Sequence, residues 1–285
     1  MNSETEQKFD IKGFALQIRG DIQHNRIKLP TLPAISLEAL LIVNDACSSM
    51  ADVARIVGKD ASMAARLVRY ANSPLYRGIN NVTSVKAAIT RIGIDAVKHA
   101  ILSLAMRDVF TTSFKSIQIR MEALWEHSVS VAAKAALLSE QFAHLNREEA
   151  MLAGLIHDVG VIPILIKAKD HPILLDDEAK LDKLVQALHM SVGKFMLSLW
   201  NFDESLVEVA ATHDKLDRKP TGEQVDYVDL VQVANILSHD QPDHRYGRID
   251  QAKIPAFKRV GLDLIAGLKQ KMEEGVELEI GTALS

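Results

Sequence analysis

The sequence predicts an all-α protein, and two observations support this prediction. Apolar residues recur at the three- and four-residue spacing of a helix through most of the 285 residues. No stretch alternates apolar and polar residues over a convincing strand length. The composition is 48% hydrophobic and 25% charged, which is typical of a globular protein that can bury a large core.

The first half of the chain predicts a series of short helices separated by turn residues. An apolar helix face follows Pro33, and Ser49 with Asp52 three positions later forms a capping-box-like start for the next helix. Pro74 ends a further helix because the residue before proline avoids the α conformation, and Gly93 ends another. The predicted helices cover residues 37–46, 50–58, 62–71, 85–92 and 96–110.

A polar break at 111–116 separates this half from a second series of helices. The run Ile162–Ile166 has strand propensity, but Pro163 makes a helix start an equal alternative. Residues 277–285 lack a helical pattern and are predicted to be a loose tail. The predicted helices cover residues 117–144, a segment from 147, 178–200, 203–213, 225–240 and 255–273. We therefore predict two helical lobes, 1–112 and 113–285, packed as one body.

Composition also excludes several classes of function. Cys47 cannot form an internal disulfide, the first ten residues are polar and acidic, and no apolar run reaches the roughly 18 residues of a membrane helix. These features predict a cytoplasmic protein without a membrane segment, in which Cys47 is an inert core thiol. The net charge of −4 argues against a dedicated nucleic-acid binder. Basic residues in 50–93 could line an acidic ligand, but solvated helix faces explain them more simply.

Residues able to bind a metal are concentrated on apolar helices of the second half. Imidazole and carboxylate are good ligands for iron, zinc or manganese, and helices that supply one ligand each can build a site inside a bundle. A single histidine on an apolar helix is more often a hydrogen-bonded core residue, but the set as a whole favours one shared site. The candidates are His127, His157, Asp158, His189, His213, Asp214 and Asn235. The remaining histidines are predicted to lie at the surface or the core edge.

The motif around His157 and Asp158 resembles the HD superfamily of metal-dependent phosphohydrolases. The additional histidines resemble the HD-GYP branch, which degrades cyclic di-GMP at a multi-metal site. Three segments of the first half resemble the HDOD domain, the HD-related output domain of bacterial signalling proteins, and the resemblance covers about residues 25–240. These segments are Leu29-Pro30-Thr31-Leu32-Pro33, Ala71-Asn72-Ser73-Pro74-Leu75-Tyr76 and Ala88-Ile89-Thr90-Arg91-Ile92-Gly93.

The resemblance assigns a position to each candidate ligand. His127, His157 and Asp158 match three of the four HD metal ligands, and Asn235 stands where the fourth, an aspartate, is expected. His189, His213 and Asp214 match the additional HD-GYP positions, with Asp214 in place of a histidine. Val161 stands where active HD-GYP proteins carry a lysine that neutralises phosphate charge. No Gly-Tyr-Pro motif is recognisable.

Two functions are compatible with these residues. HDOD domains are all-helical and are usually treated as non-catalytic, which implies a signalling module that binds a small nucleotide-like ligand or a signalling protein. The alternative is a metal-dependent phosphohydrolase acting on a nucleotide or phosphoester. Because Asn235 is a weaker ligand than aspartate, the sequence predicts a divalent metal (iron, zinc or manganese) that is bound weakly or not at all. No residue is assigned as catalytic, and the sequence does not specify the oligomeric state.

Overall fold

The structure, a computed structural model, describes residues 10–24, 26, 38, 49–73, 75–76, 78–220, 222–239, 245–247, 249–273 and 275–284. All regular elements within these ranges are helices, so the predicted all-α class is confirmed. The predicted helix over 37–46 falls outside the described residues, apart from Glu38.

Five helices of the first half are described. Met50 begins its helix as predicted: Ser49 Oγ accepts a hydrogen bond from the Asp52 amide at 3.3 Å, and Asp52 accepts one from the Ser49 amide at 3.1 Å. Gly93 separates two helices with φ at +93°, a conformation that suits glycine. The helices are α1 (Ile11–Gln23), α2 (Met50–Val57), α3 (Ala61–Ala71), α4 (Val85–Ile92) and α5 (Ile94–Val109). The sequence pattern did not predict α1.

Ten α-helices and one short 3₁₀ helix, Gln251–Lys253, are described in the second half. The Ile162–Ile166 run is helical, with Pro163 in the first turn, where its missing amide hydrogen has no helical partner to lose. The helices are α6 (Lys115–Ser139), α7 (Arg147–Ile156), α8 (Val161–Ala168), α9 (Pro172–Leu175), α10 (Glu178–Leu199), α11 (Glu204–Thr212), α12 (Tyr227–Leu237), α13 (Pro255–Val260), α14 (Leu262–Glu273) and α15 (Val276–Leu284).

Three sequence expectations for the second half are wrong. The helix predicted over 255–273 is two helices, because Gly261 adopts φ +98° between them. The tail predicted over 277–285 is mostly the helix α15, whose apolar residues Ile280 and Leu284 are buried. The chain also contains a segment apolar and long enough to cross a membrane, Arg147–Ala168, which comprises α7 and α8. Burial of 89% of its most apolar window inside the fold accounts for that composition.

Close helix packing brings the predicted ligands towards one another. Helix α7 lies against α6 at Gly154, where a Cβ atom would come within 2.5 Å of the Ala132 Cα. The turn after α7 touches α10 at Gly160, where a Cβ atom would come within 2.0 Å of the His189 carbonyl oxygen. The two glycines therefore allow the end of α7 to approach both α6 and α10.

Four residues, Tyr70, Tyr76, Arg147 and Glu148, form what we call the lobe junction. Glu148, at the start of α7, is only 2% exposed and accepts hydrogen bonds from the hydroxyls of Tyr70 and Tyr76, the latter at 2.5 Å. The Arg147 guanidinium lies 3.4 Å from the same carboxylate and 4.7 Å from the Tyr76 ring centroid. The junction thus ties the first half of the chain to the helix that ends at His157.

Candidate metal centre

Six of the seven predicted ligands come from four helices whose ends and faces meet in the second half of the chain. His127 lies in the middle of α6, and His157 with Asp158 directly follows α7. His189 lies in α10, and His213 with Asp214 directly follows α11. His157 and His213 are each 1% exposed and His189 is 4% exposed, so these imidazoles belong to the interior.

Asp158 lies between two groups of imidazoles and directs one oxygen to each. In the first group, Asp158 Oδ2 lies 3.3 Å from His157 Nε2, which lies 3.2 Å from His127 Nε2. In the second group, Asp158 Oδ1 lies 3.1 Å from His213 Nε2 and 3.6 Å from His189 Nε2. This is the arrangement of a carboxylate that can bridge two metal positions.

Asp214 adds a second carboxylate to the second group. Its oxygens lie 3.3 Å from His189 Nε2 and 3.7 Å from His213 Nε2, and these two imidazole nitrogens are 3.3 Å apart. Asp214 is also held from outside, by Arg245 at 2.5 Å and by the Tyr246 hydroxyl. The second group therefore combines two imidazoles with two carboxylates.

Backbone carbonyls orient three of the four imidazoles. The Nδ1 atoms of His157, His189 and His213 lie 2.7, 2.9 and 3.1 Å from the carbonyl oxygens of Gly154, Val185 and Val209, respectively. A hydrogen bond to a carbonyl requires the proton on Nδ1, which leaves the Nε2 lone pair free. In each case the free Nε2 faces the other donors, as in histidines that bind metals.

Burial and neighbouring charges hold several of the candidate ligands in the protonation state that metal binding requires. Burial lowers the pKa of His127 to about 3 and also lowers that of His213, so both imidazoles are neutral at neutral pH. Burial alone would raise the pKa of Asp158, but His157 and His213 outweigh this effect and hold it well below its usual range. The pKa values of His157 and His189 are raised by nearby carboxylates despite burial, so a bound cation would displace protons from these two imidazoles.

The donor set fits a divalent metal in two overlapping positions. His127, His157 and Asp158 form one group and Asp158, His189 and His213 the other, with all donor atoms of each group within 4.8 Å of one another. Metal–ligand bonds of about 2.0–2.2 Å to imidazole and carboxylate suit donors separated by 3 to 4 Å. The chemistry of these side chains is that preferred by iron, zinc and manganese.

Asn235 is buried in α12, which packs against α6, α7 and α11. Its Oδ1 atom accepts no hydrogen bond from any described residue. A buried amide oxygen without a hydrogen-bond partner lowers the stability of a fold. Asn235 therefore offers an acceptor atom that no described residue uses, on a helix beside the cluster. No hydrogen bond joins Asn235 to the six other ligand candidates in the described part of the chain, and its assignment as a ligand stays a prediction.

An open cleft of about 440 Å³ lies over the centre. His127, Asp158, His189 and Val161 are among the residues that line it. Its lining also contains side chains that the sequence did not single out as ligands: Asp182, Val185, Gln186, His239 and Arg245.

His239 and Arg245 are cleft residues that sequence reasoning missed. The His239 ring stacks on His127 at 4.6 Å, and the Arg245 guanidinium pairs with Asp214. No motif marked either residue, and the only signal was their position shortly after the helix of Asn235. Lys167, Lys169 and Lys194 do not line the cleft, and the first two pair with Asp21 and Asp170 at 2.8 and 2.6 Å.

Similar proteins agree with this architecture. A crystal structure of a proposed metal-dependent phosphohydrolase from Shewanella amazonensis is 24% identical, matches with a TM-score of 0.76, and covers 96% of this chain and 99% of that one. A proposed signal transduction protein from Marinobacter aquaeolei is 15% identical, with a TM-score of 0.65 over 96% of this chain and 65% of that one. At these identities the matches show a shared fold.

A curated relative and a family model add sequence-level similarity. Ribonuclease Y from Fervidobacterium nodosum is 26% identical over 158 residues, which are 55% of this chain but only 25% of that protein. The model of the HDOD domain matches residues 29–216, which include six of the seven candidate ligands. With the helical fold and the His/Asp cluster in place, this match shows that the chain belongs to the HDOD domain family.

Proposed function

We propose that this protein is an HDOD signalling module that holds a divalent metal, binds a phosphate-containing ligand in the cleft and hydrolyses it little or not at all. One observation carries the proposal. The imidazole and carboxylate donors converge with oriented Nε2 atoms, while the positions expected to supply a further carboxylate and a cation contain Asn235 and Val161. The binding part of an HD centre is therefore retained and parts needed for turnover are replaced.

The second group of ligands is the better of the two metal positions. It has Asp158 and Asp214 beside His189 and His213, whereas the first group has Asp158 as its single carboxylate. Two negative ligands stabilise a dication more than one does. We expect iron, zinc or manganese there, and the bound cation would attract the anionic oxygens of a phosphate group.

Weak turnover follows from the residues around the same centre. The apolar side chain of Val161 carries no donor or positive charge to meet the charge that develops on phosphate during hydrolysis. The neutral amide of Asn235 holds a metal less firmly than a carboxylate does. Loss of one well-placed electrostatic donor typically costs about 10²- to 10³-fold in rate. Binding without rapid hydrolysis suits a protein that reports the presence of a ligand to a signalling partner.

A metal-dependent phosphohydrolase is the second candidate. The oriented Nε2 atoms favour it, as does the likeness to a protein described as a proposed metal-dependent phosphohydrolase. The two functions share the metal and the cleft, and they differ in whether bound phosphoester is turned over.

Metal analysis and turnover assays on the same preparation separate the two functions. The protein, purified without chelator or histidine tag, is expected to contain a divalent metal by elemental analysis. With added Mn²⁺ or Fe²⁺ it is expected to show little or no turnover of cyclic di-GMP or of simple phosphoesters. The matched variant is His157→Ala, which removes one ligand of the first group.

Two outcomes would contradict the proposal. Wild-type protein that stays metal-free after incubation with Mn²⁺, Fe²⁺ and Zn²⁺ would exclude the metal-holding module. Robust turnover that disappears in a folded His157→Ala variant would instead identify the protein as a phosphohydrolase.

A further inference from the structure

We infer that Arg245 is the anion-binding side chain of the cleft and takes the role that Val161 cannot perform. The inference deepens the proposed function and rests on it, because it names the residue that recognises the phosphate group beside the metal. Arg245 lies outside residues 29–216, which match the HDOD domain, so this assignment comes from the geometry of this chain.

The first argument is position. Arg245 lines the same cleft as His127, Asp158 and His189, which are metal-ligand candidates from both groups. It is the one arginine or lysine among the described residues of that lining. An anion bound to a metal in this cleft would therefore find Arg245 as the cationic side chain among the described lining residues.

The second argument is orientation. The Nη2 atom of Arg245 lies 2.5 Å from Asp214 and 2.8 Å from the Tyr246 hydroxyl, and its guanidinium carbon lies 4.6 Å from the Tyr246 ring centroid. Tyr246 is itself buried. These contacts hold the guanidinium in one place, while 41% of the side chain remains exposed to the cleft and solvent.

The third argument is unused hydrogen-bonding capacity. A guanidinium has five N–H donors, and the contacts to Asp214 and Tyr246 both use Nη2. The Nε and Nη1 donors of Arg245 have no partner among the described residues. Arginine donors in a fixed planar fork match the spacing of phosphate oxygens, so a bound phosphate could accept two hydrogen bonds.

The fourth argument is charge. Two carboxylates, Asp158 and Asp182, are among the described residues that line the cleft. Asp182 pairs with Arg120 at 2.7 Å and therefore does not compete for Arg245. A phosphate that bridges the metal and Arg245 would be neutralised from two sides. The ligand class is accordingly an oxyanion, as in a phosphomonoester or phosphodiester group.

Phosphate binding to the Mn²⁺-loaded full chain tests this assignment. Inorganic phosphate is titrated by calorimetry into wild-type protein, Arg245→Gln, Arg245→Lys and the control Arg55→Gln, with manganese content measured on each sample. Arg55 is a matched control because it also pairs with an aspartate, Asp52 at 3.3 Å, but lies on α2 away from the cleft.

We expect Arg245→Gln to bind phosphate about ten- to a hundredfold more weakly with unchanged manganese content, since charge-assisted hydrogen bonds are lost. Arg245→Lys should be intermediate and Arg55→Gln unchanged.

The outcomes distinguish this inference from the proposed function. Equal phosphate affinity in wild type and Arg245→Gln overturns the inference and leaves the metal-holding module intact. Loss of manganese together with phosphate in Arg245→Gln also overturns it, because Arg245 would then only support Asp214. Absence of phosphate binding by the wild type overturns the inference about Arg245, whether or not manganese is present. Absence of manganese from the wild type contradicts the proposed function.

Discussion

At the scale of single residues, the position of Asp158 dominates the centre. Its two oxygens face different imidazole groups at 3.1 and 3.3 Å, so any metal in either position would share this carboxylate. Asp214 strengthens only the second group. The first group has Asp158 as its single carboxylate, and Asn235 is the residue at the position where the sequence predicts a further ligand.

The first residue-scale prediction concerns Asn235. We expect Asn235→Asp to raise the metal content of the purified protein, because it replaces a buried amide oxygen that has no described partner with a negatively charged one. Without metal the added buried charge should lower the melting temperature, and Mn²⁺ should then raise it more than in the wild type. Elemental analysis and thermal melts with and without Mn²⁺ measure both effects.

Asn81→Asp is the control for this prediction. It adds the same charge at an exposed residue before α4 and should change neither quantity. Unchanged or lower metal content in folded Asn235→Asp would show that residue 235 is not a ligand position.

The sequence predicted the candidate ligands that converge and missed the cleft residues for a physical reason. His157 and Asp158 are adjacent in a recognisable motif, and each further histidine lies on an apolar helix, so local pattern was enough to find them. His239 and Arg245 follow α12 and carry no helical pattern of their own. They reach the centre only through tertiary contacts with His127 and Asp214, which no local pattern encodes.

At the scale of elements, the packing of α7 on α6 fixes the first ligand group. A Cβ at Gly154 would lie 2.5 and 2.7 Å from the Ala132 Cα and amide nitrogen, which are backbone atoms that cannot rotate away. Gly154 also provides the carbonyl that accepts from His157 Nδ1. The same glycine therefore sets the distance between two helices and the orientation of one imidazole.

We predict that Gly154→Ala lowers the free energy of unfolding by at least about 1–3 kcal/mol, the usual cost of overpacking a core. Gly267→Ala is the matched control, because Gly267 lies in helix α14 with no atom within 4 Å of its added Cβ. That change should be neutral or stabilising by up to about 1 kcal/mol, since alanine favours helices. Equal effects of the two variants in urea unfolding would contradict the role assigned to Gly154.

The sequence pattern failed to predict two features of the helices, namely α15 and the break between α13 and α14. Helix α15 has too few periodic positions to be recognised alone, but it contacts α3, α5 and α6 and buries Ile280 and Leu284 among them. Short helices owe most of their stability to such tertiary packing. The split between α13 and α14 likewise depends on the conformation of one residue, Gly261, rather than on periodicity.

At the scale of the whole molecule, contacts across the fold connect the first half of the chain to the metal centre. Helix α7 has the buried Glu148 of the lobe junction at its start and His157 directly after its end. Its neighbour Glu149 accepts hydrogen bonds from Ser205 and from Tyr227 at 2.8 and 3.0 Å. The first turn of α7 is thus held from both sides, and a disturbance at the junction acts directly on this helix.

The lobe junction gives a prediction with a defined pH dependence. Burial raises the pKa of Glu148, and the hydroxyls of Tyr70 and Tyr76 together with Arg147 oppose this rise. Removing both hydroxyls in Tyr70→Phe/Tyr76→Phe should raise the pKa further and cost about 3–6 kcal/mol of unfolding free energy at neutral pH. A carboxyl with a raised pKa in the folded state loses its stabilising contribution as pH rises from its unfolded to its folded pKa. The deficit relative to wild type should therefore be smallest at acid pH, where Glu148 is protonated, and grow towards neutral pH.

Two measurements on this double variant test the prediction. Urea unfolding at several pH values measures the deficit in unfolding free energy, and hydrogen exchange of α3 and α7 at neutral pH locates it. Both helices should exchange faster, because Tyr70 lies on α3 and Glu148 on α7. Tyr227→Phe is the control, since the Tyr227 hydroxyl contacts Glu149 and the Asn146 amide but not Glu148, and the change should affect α3 little. A deficit that does not change with pH, or faster exchange confined to α3, would show that Glu148 does not connect the two halves energetically.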